Sequence, residues 1–169
     1  KADGSVAMTW DLDMWDQDIV SLWNIELWET SIKLDAVLSG DEKRSGITTA
    51  WTLWATIAVG DICYLGSAWK RLLNDGILDW TDTGFSKQLG ICVLAGDDTN
   101  ATEILLQGKV RSAAFPAFTV GSPVYLDDTA WNIVVTKPST TNFAVRVVGF
   151  AVTAEDLYFN PSNDYWVNV

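Results

Sequence analysis

Val59-Gly60-Asp61-Ile62-Cys63-Tyr64-Leu65 and Val120-Gly121-Ser122-Pro123-Val124-Tyr125-Leu126 are two versions of one phrase. Each leads to an Ala-Trp pair, Ala68-Trp69 and Ala130-Trp131. An apolar run follows, Leu72-Leu73 in the first version and Ile133-Val134-Val135 in the second. Further on, Leu89-Gly90-Ile91-Cys92-Val93 matches Val148-Gly149-Phe150-Ala151-Val152 at an offset of about 60 residues. A repeat this long predicts a duplicated β-unit. In each copy Val-Gly opens a strand, and a turn carrying Ala-Trp sends the chain back. A long strand with a central glycine follows, then a short apolar strand, Ile104-Leu105-Leu106 or Leu157-Tyr158-Phe159. Gly60, Gly121, Gly90 and Gly149 are read as positions of backbone geometry, where a bulge or a close approach is needed. Trp69 and Trp131 are read as equivalent turn positions. Tyr64 and Tyr125 share a strand face with Ile62 and Pro123, two residues before them.

Around this repeat, runs of β-branched and aromatic residues alternate with turn residues such as Asn74-Asp75-Gly76, Gly96-Asp97-Asp98, Asp127-Asp128 and Pro138-Ser139. Strands are predicted over 52–59, 61–65, 69–73, 87–95, 102–110, 122–126, 132–136, 143–153 and 156–159. No stretch sustains a 3.6-residue period. The expected fold is all-β: a sandwich or barrel with internal duplication over 46–169, its units about 47–115 and 116–169.

Residues 1–45 read differently. Leu12-Asp13-Met14-Trp15, Val20-Ser21-Leu22-Trp23 and Ile25-Glu26-Leu27-Trp28 alternate apolar and polar positions, and Ile32-Lys33-Leu34 continues the pattern. Strands this short cannot bury a face alone and need stacking on other rungs or other chains. Leu12, Met14, Ile19, Leu22, Ile25 and Leu27 are the candidate inter-subunit packing positions of a stalk-like β-segment. Ser39–Gly46, polar with a glycine near each end, reads as a loop or linker.

Composition narrows the function. The chain has 169 residues, nearly half of them apolar, enough for a substantial core. Its formal net charge is −11 with no histidine. A surface this acidic repels phosphate backbones and anionic membranes, so neither nucleic acid nor membrane is an expected partner. The chain opens on Lys1-Ala2-Asp3-Gly4 without a Met, as a fragment or processed product would. Without histidine there is no His-based triad and no His metal site. The acid pairs Asp97-Asp98, Asp127-Asp128 and Glu155-Asp156 are read as solvated turns, since adjacent acids point apart and a glycosidase needs two that face each other. The Asp11, Asp13, Asp16 and Asp18 cluster lacks the spacing of a calcium loop. No enzyme, cofactor or metal is expected. Cys63 and Cys92, each in an apolar run, are expected to be buried thiols, with a disulfide left open.

Two stretches carry a resemblance. Gly108-Lys109-Val110, Gly121-Ser122-Pro123-Val124-Tyr125-Leu126, Pro138-Ser139, Val147-Val148-Gly149-Phe150-Ala151 and Phe159-Asn160-Pro161-Ser162 resemble a domain of bacteriophage fibres, spikes and head-decoration proteins. Met8-Thr9-Trp10-Asp11-Leu12-Asp13-Met14 and Asp18-Ile19-Val20-Ser21-Leu22 resemble a repeat of trimeric phage fibres that reads Met-Thr-Gly-Asp-Leu-Asp-Met-Gly. The resemblance implies a structural protein on the exterior of the virion, a homotrimer whose partners are other phage head or tail proteins. It also implies host attachment as a role, with a host-surface glycan as an alternative partner and carbohydrate recognition as the alternative function.

The departure from that pattern is tryptophan. The chain has ten, and Trp10, Trp15, Trp23, Trp28, Trp69 and Trp131 stand where the resembling proteins carry glycine. Trp51, Trp54 and Trp80 fit the same rule. A tight hairpin wants φ > 0, which glycine accepts and an indole accepts poorly. Three readings follow: rings buried between subunits, rings exposed as platforms for sugars, or positions that are glycine in the protein itself.

Overall fold

A computed structural model describes residues 34–52, 56–65, 69–71, 86–96, 101–128 and 132–169. Within them lie ten strands and no α-helix: β1 (Arg44–Thr52), β2 (Ile62–Leu65), β3 (Trp69–Arg71), β4 (Leu89–Leu94), β5 (Ala101–Arg111), β6 (Pro123–Leu126), β7 (Ile133–Val134), β8 (Ala144–Ala151), β9 (Asp156–Phe159) and β10 (Tyr165–Val167). The all-β expectation holds, and eight of the predicted strands find a counterpart. The ninth does not. Instead of a strand over 52–59, β1 occupies 44–52, starting inside the stretch read as a loop, and Ile57 makes only an isolated bridge with Gly96. Apolar alternation could not reveal β1, because its start is polar and glycine-containing and its place is set by pairing along β5. β10 was also missed: its three residues pair with Ala144–Arg146 and are too few to show a period.

Every strand pair is antiparallel, in the order β3-β2-β4-β5-β9-β8-β6-β7, with β1 added on β5 and β10 on β8. The sheet curls into a nearly closed, barrel-like body. From either end it runs hairpin, long strand, seam strand: β3-β2, β4, β5 from one side and β7-β6, β8, β9 from the other. The turns before the two hairpins are fastened alike. Gly60 N–H donates to the Cys92 carbonyl and Cys92 N–H to the Asp61 carbonyl, both at 2.9 Å. Gly121 N–H donates to the Ala151 carbonyl at 2.9 Å and Ala151 N–H to the Ser122 carbonyl at 3.0 Å. Both glycines adopt positive φ, 97° and 82°, which a turn entering a strand here requires.

The register shows which faces are buried, because directly opposed residues of an antiparallel pair share a face. In the first β-unit (β2–β5), Ile62 opposes Ile91 and Ile91 opposes Leu105. All three are fully buried in the main core with Leu89, Val110, Val124, Val148, Leu157 and Phe159. In the second (β6–β9), the corresponding row is Pro123, Phe150 and Tyr158, and it faces outward. There the other row goes in: Val124 opposes Gly149, which opposes Phe159, which opposes Gly108. The two units therefore turn opposite faces to the shared core. The reverse face of the first unit is closed by a smaller cluster of Ile57, Cys63, Cys92 and Ile104. Both cysteines are buried thiols, not a disulfide.

The change of face happens on β5. A register shift opposite Ile47/Thr48 inserts one extra β5 residue, and beyond it Gly108 adopts φ 141°. Gly108 lies so close to Gly46 of β1 that a Cβ on it would stand 2.6 Å from the Gly46 Cα and 2.4 Å from the Ser45 carbonyl oxygen. A Cβ on Gly149 would lie 2.1 Å from the Tyr158 carbonyl oxygen, so that glycine is likewise a close backbone approach.

Arg146 ties distant segments together. Its side chain is 3% exposed. Nε donates to the Ser162 carbonyl at 2.6 Å, beyond β9, and NH1 to the Lys87 carbonyl at 2.8 Å, ahead of β4. Burial lowers its pKa from the ordinary arginine value, yet arginine keeps its proton at neutral pH. Arg146→Ala strands two carbonyls inside the protein and is expected to cost about 2–4 kcal/mol, read as a lower urea midpoint at unchanged m-value. A midpoint equal to wild type would rule the clamp out.

Candidate interaction surface

Several predicted positions fall outside the described residues: Leu12, Met14, Ile19, Leu22, Ile25, Leu27 and Trp131. Trp69 is the first residue of β3, paired with Leu65. Gly90 is buried opposite Cys63, the same place that Gly149 takes opposite Val124. Of the tryptophans, Trp166 of β10 has a described side chain; it is 46% exposed, with the Lys137 ammonium 4.8 Å from its ring centroid. The intact mass of the chain taken from particles separates the tryptophan readings: a mass lower by one indole side chain per position selects glycine.

The acid pairs divide. Asp127 and Asp128 are half-buried beside β6, and the Thr140 hydroxyl donates to Asp128, holding its carboxyl below the usual range. Asp97 and Asp98 lie outside the described residues. Glu155 is exposed, but Asp156 is completely buried, which corrects the reading of that pair as a solvated turn. Asp156 is the first residue of β9 and directly opposes Arg111, while Glu155 lies in the bend before the strand. Among the described residues the Asp156 carboxylate receives no hydrogen bond; Arg111 NH1 lies 3.6 Å from its Oδ1. Among the described residues no group of three or more Cys, Asp or Glu side chains could hold a metal ion.

A strap, residues 34–43, is fastened along β5 by the residue that faces Asp156 and by its neighbours. Lys109 Nζ donates to the carbonyls of Asp35 at 2.6 Å and Ala36 at 3.0 Å. Arg111 NH1 donates to the Leu38 carbonyl at 3.2 Å, and its NH2 pairs with Glu155. Leu38 is buried, and Asp41 Oδ1 accepts from Ala113 N–H at 2.6 Å. Alternation on β5 puts Lys109 and Arg111 outward, so two cations meant for solvent become fasteners for backbone carbonyls.

Beyond the strap, this outer face carries exposed apolar side chains among the described residues. Across it run Pro123, Phe150 and Tyr158, then Lys109 and Ser45, each directly opposed to the next. Gln107 donates to the Tyr158 hydroxyl at 3.3 Å and opposes Ile47 across β1 and β5. Phe150 is 49% exposed and Ile47 58%, while Pro123 and Tyr158 are half-buried. A solvated sheet face normally alternates to polar side chains; here an aromatic and apolar row stands on strands paired along both edges. A separate open cleft of about 450 Å³ lies between Gly60, Asp61 and Phe115 on one side and Asp127, Asn132 and Ile133 on the other.

Comparison with known proteins agrees with this picture of a structural β-body. No curated protein matches the chain. The family model for phage cement proteins matches residues 42–157, from the strap through the first residues of β9 and most of the chain's length. The chain thus belongs to the family of phage cement proteins.

Proposed function

We propose that this chain is a head-decoration subunit on the outside of a phage particle, acting as a homotrimer that reinforces the protein shell. The observation that carries this reading is the family match over 42–157, which takes in β1 through β8 and the start of β9. The body also suits the role. It is a preorganised scaffold whose turns, strap and clamped loops leave little to order on binding, so less of the interaction energy is lost to ordering. The two β-units, with matching turn hydrogen bonds and strand order, are read as copies of one unit. The stalk-like segment 1–45 supplies the contact between copies, its final part fastened to the body by Lys109 and Arg111. The proposal sets the chain on the head rather than on a fibre or spike, and the match to a family of cement proteins is what supports that choice.

Adding the purified chain back to heads lacking it is expected to raise their melting temperature. A ligand at one hundred times its Kd stabilises the bound form by about 2.7 kcal/mol per site. Light scattering of the isolated chain is expected to give a trimer. Heads that melt at the same temperature with and without the chain would sink the reinforcement reading, and a monodisperse monomer would sink the trimer.

A further inference from the structure

We infer that the strap, residues 34–43, is a latch built to open, and that Asp156 is the acceptor that receives Arg111 when it does. The inference goes beyond the head-decoration reading and does not depend on it. Two oxygens compete for one nitrogen of Arg111. Its NH1 donates to the Leu38 carbonyl at 3.2 Å, and the same NH1 stands 3.6 Å from Asp156 Oδ1, just outside hydrogen-bond reach. Asp156 is completely buried, and among the described residues neither of its carboxylate oxygens has a hydrogen-bond partner. A buried carboxylate in that condition is costly, and a charge-assisted bond to the facing guanidinium is the remedy within reach. With the strap closed, the Leu38 carbonyl holds NH1 away. Lifting the strap removes that carbonyl, and a shift of NH1 by less than about 1 Å then completes the bond to Asp156. Glu155, paired with NH2, holds the guanidinium in place as this happens. The bond lost at Leu38 on opening is thus offset by the bond gained at Asp156.

The strap is fastened lightly enough to move by itself. From residue 34 to 42, every hydrogen bond described between it and the β-body uses a side chain. Lys109 holds the Asp35 and Ala36 carbonyls, Arg111 holds Leu38, the Ser45 hydroxyl accepts from Asp35 N–H, and Asp41 accepts from Ala113 N–H. Backbone pairing with β5 begins only at Lys43, whose carbonyl accepts from Arg111 N–H at 3.0 Å. Leu38 is the strap's one buried side chain, and Val37 beside it is 66% exposed. The downstream end is a hinge under strain. Gly40 has nothing within 4 Å of a Cβ, and Glu42 adopts φ 55°, a left-handed conformation that is unfavourable for a residue with a Cβ. Opening relaxes that residue. A segment with one buried contact, side-chain fasteners and a strained hinge belongs to the part of a protein that opens without global unfolding. The strap leads into residues 1–33, so opening lengthens their tether while the sheet stays folded.

Amide hydrogen exchange of the full chain, followed residue by residue, is the test. The Asp35 and Ala113 amides, bonded to Ser45 and Asp41, report on the strap. Ile104 and Leu105, in the buried middle of β5, report on the whole sheet. In wild type the two strap amides are expected to exchange at least a hundredfold faster than Ile104 and Leu105. Their rates are expected to stay flat in low urea while those of Ile104 and Leu105 rise, because lifting a strap exposes little surface. Asp156→Asn and Asp156→Ala weaken or remove the waiting acceptor, and each is expected to slow the strap amides at least threefold. Strap amides that exchange together with Ile104 and Leu105, at the same rate and with the same rise in urea, would show that the strap opens only with the sheet, and the latch is overturned. Strap amides that hold their rate or speed up in both Asp156 variants would show that the carboxylate supports the closed strap, and the acceptor role fails. Failure of both variants to fold would count the same way, since a carboxylate unused in the closed state is dispensable to it.

Discussion

Gly108→Val is expected to be among the most damaging single substitutions in the β-body. Two costs coincide. The residue sits at φ 141°, a conformation that costs a β-branched residue on the order of 1–3 kcal/mol. Its Cβ would also stand 2.4 Å from the Ser45 carbonyl oxygen and 2.6 Å from the Gly46 Cα, both backbone atoms that no rotamer can move aside. Forcing β1 and β5 apart adds overpacking of about 1–3 kcal/mol. Together they predict a loss of about 3–5 kcal/mol, or roughly 10 °C in Tm for a chain of this size. Two other glycines grade the explanation. Gly121 has φ 82° but nothing within 4 Å of a Cβ, so Gly121→Ala should carry only the backbone cost of about 1–2 kcal/mol. Gly40 has neither constraint, and Gly40→Ala should fall within about 0.5 kcal/mol of wild type. Thermal melts of the three variants that fail to rank Gly108, Gly121, Gly40 would refute the close-approach account.

Phe159→Ala is expected to cost about 3–5 kcal/mol, at the upper end of what large-to-small core changes do. Phe159 is completely buried and heads the inward row of the second unit. Its direct neighbours across both strand pairs are glycines, Gly108 on β5 and Gly149 on β8. Neither has a side chain to collapse into the space the ring leaves, so the cavity persists. Both units depend on this ring, because β9 joins the seam between them. The expected reading is a single cooperative transition at much lower denaturant. A variant within about 1 kcal/mol of wild type would mean that the site repacks and the row does not hold the seam together.

Much of the β-body could be read from residue patterns, and each exception has a physical cause. Ile62 through Leu65, Leu89 through Leu94 and Leu157 through Phe159 announce themselves because apolar and β-branched residues in short runs fit only a buried sheet. Gly60 and Gly121 stood out by recurring, and the turns that need their positive φ explain the recurrence. β1 was hidden because its start serves backbone pairing: the feature that matters there is Gly46 against Gly108, two small residues far apart in the chain whose relation exists only in the folded register. Asp156 was misread for a similar reason. Its neighbours in sequence look like a turn, but in the fold it opposes Arg111, which in turn holds the strap through the Leu38 carbonyl, and both residues lie far upstream in the chain.

The candidate surface divides the same way. Phe150 and Tyr158 were visible as members of apolar strands, and every local rule would bury them with Ile91 and Leu105. Local pattern determined that these strands exist and that glycine turns precede two of them. Side-chain alternation specifies two faces but not which of them meets the core. Tertiary structure made that choice on β5, where one inserted residue and Gly108 reverse the second unit. The row that is core in the first unit is thereby turned outward in the second.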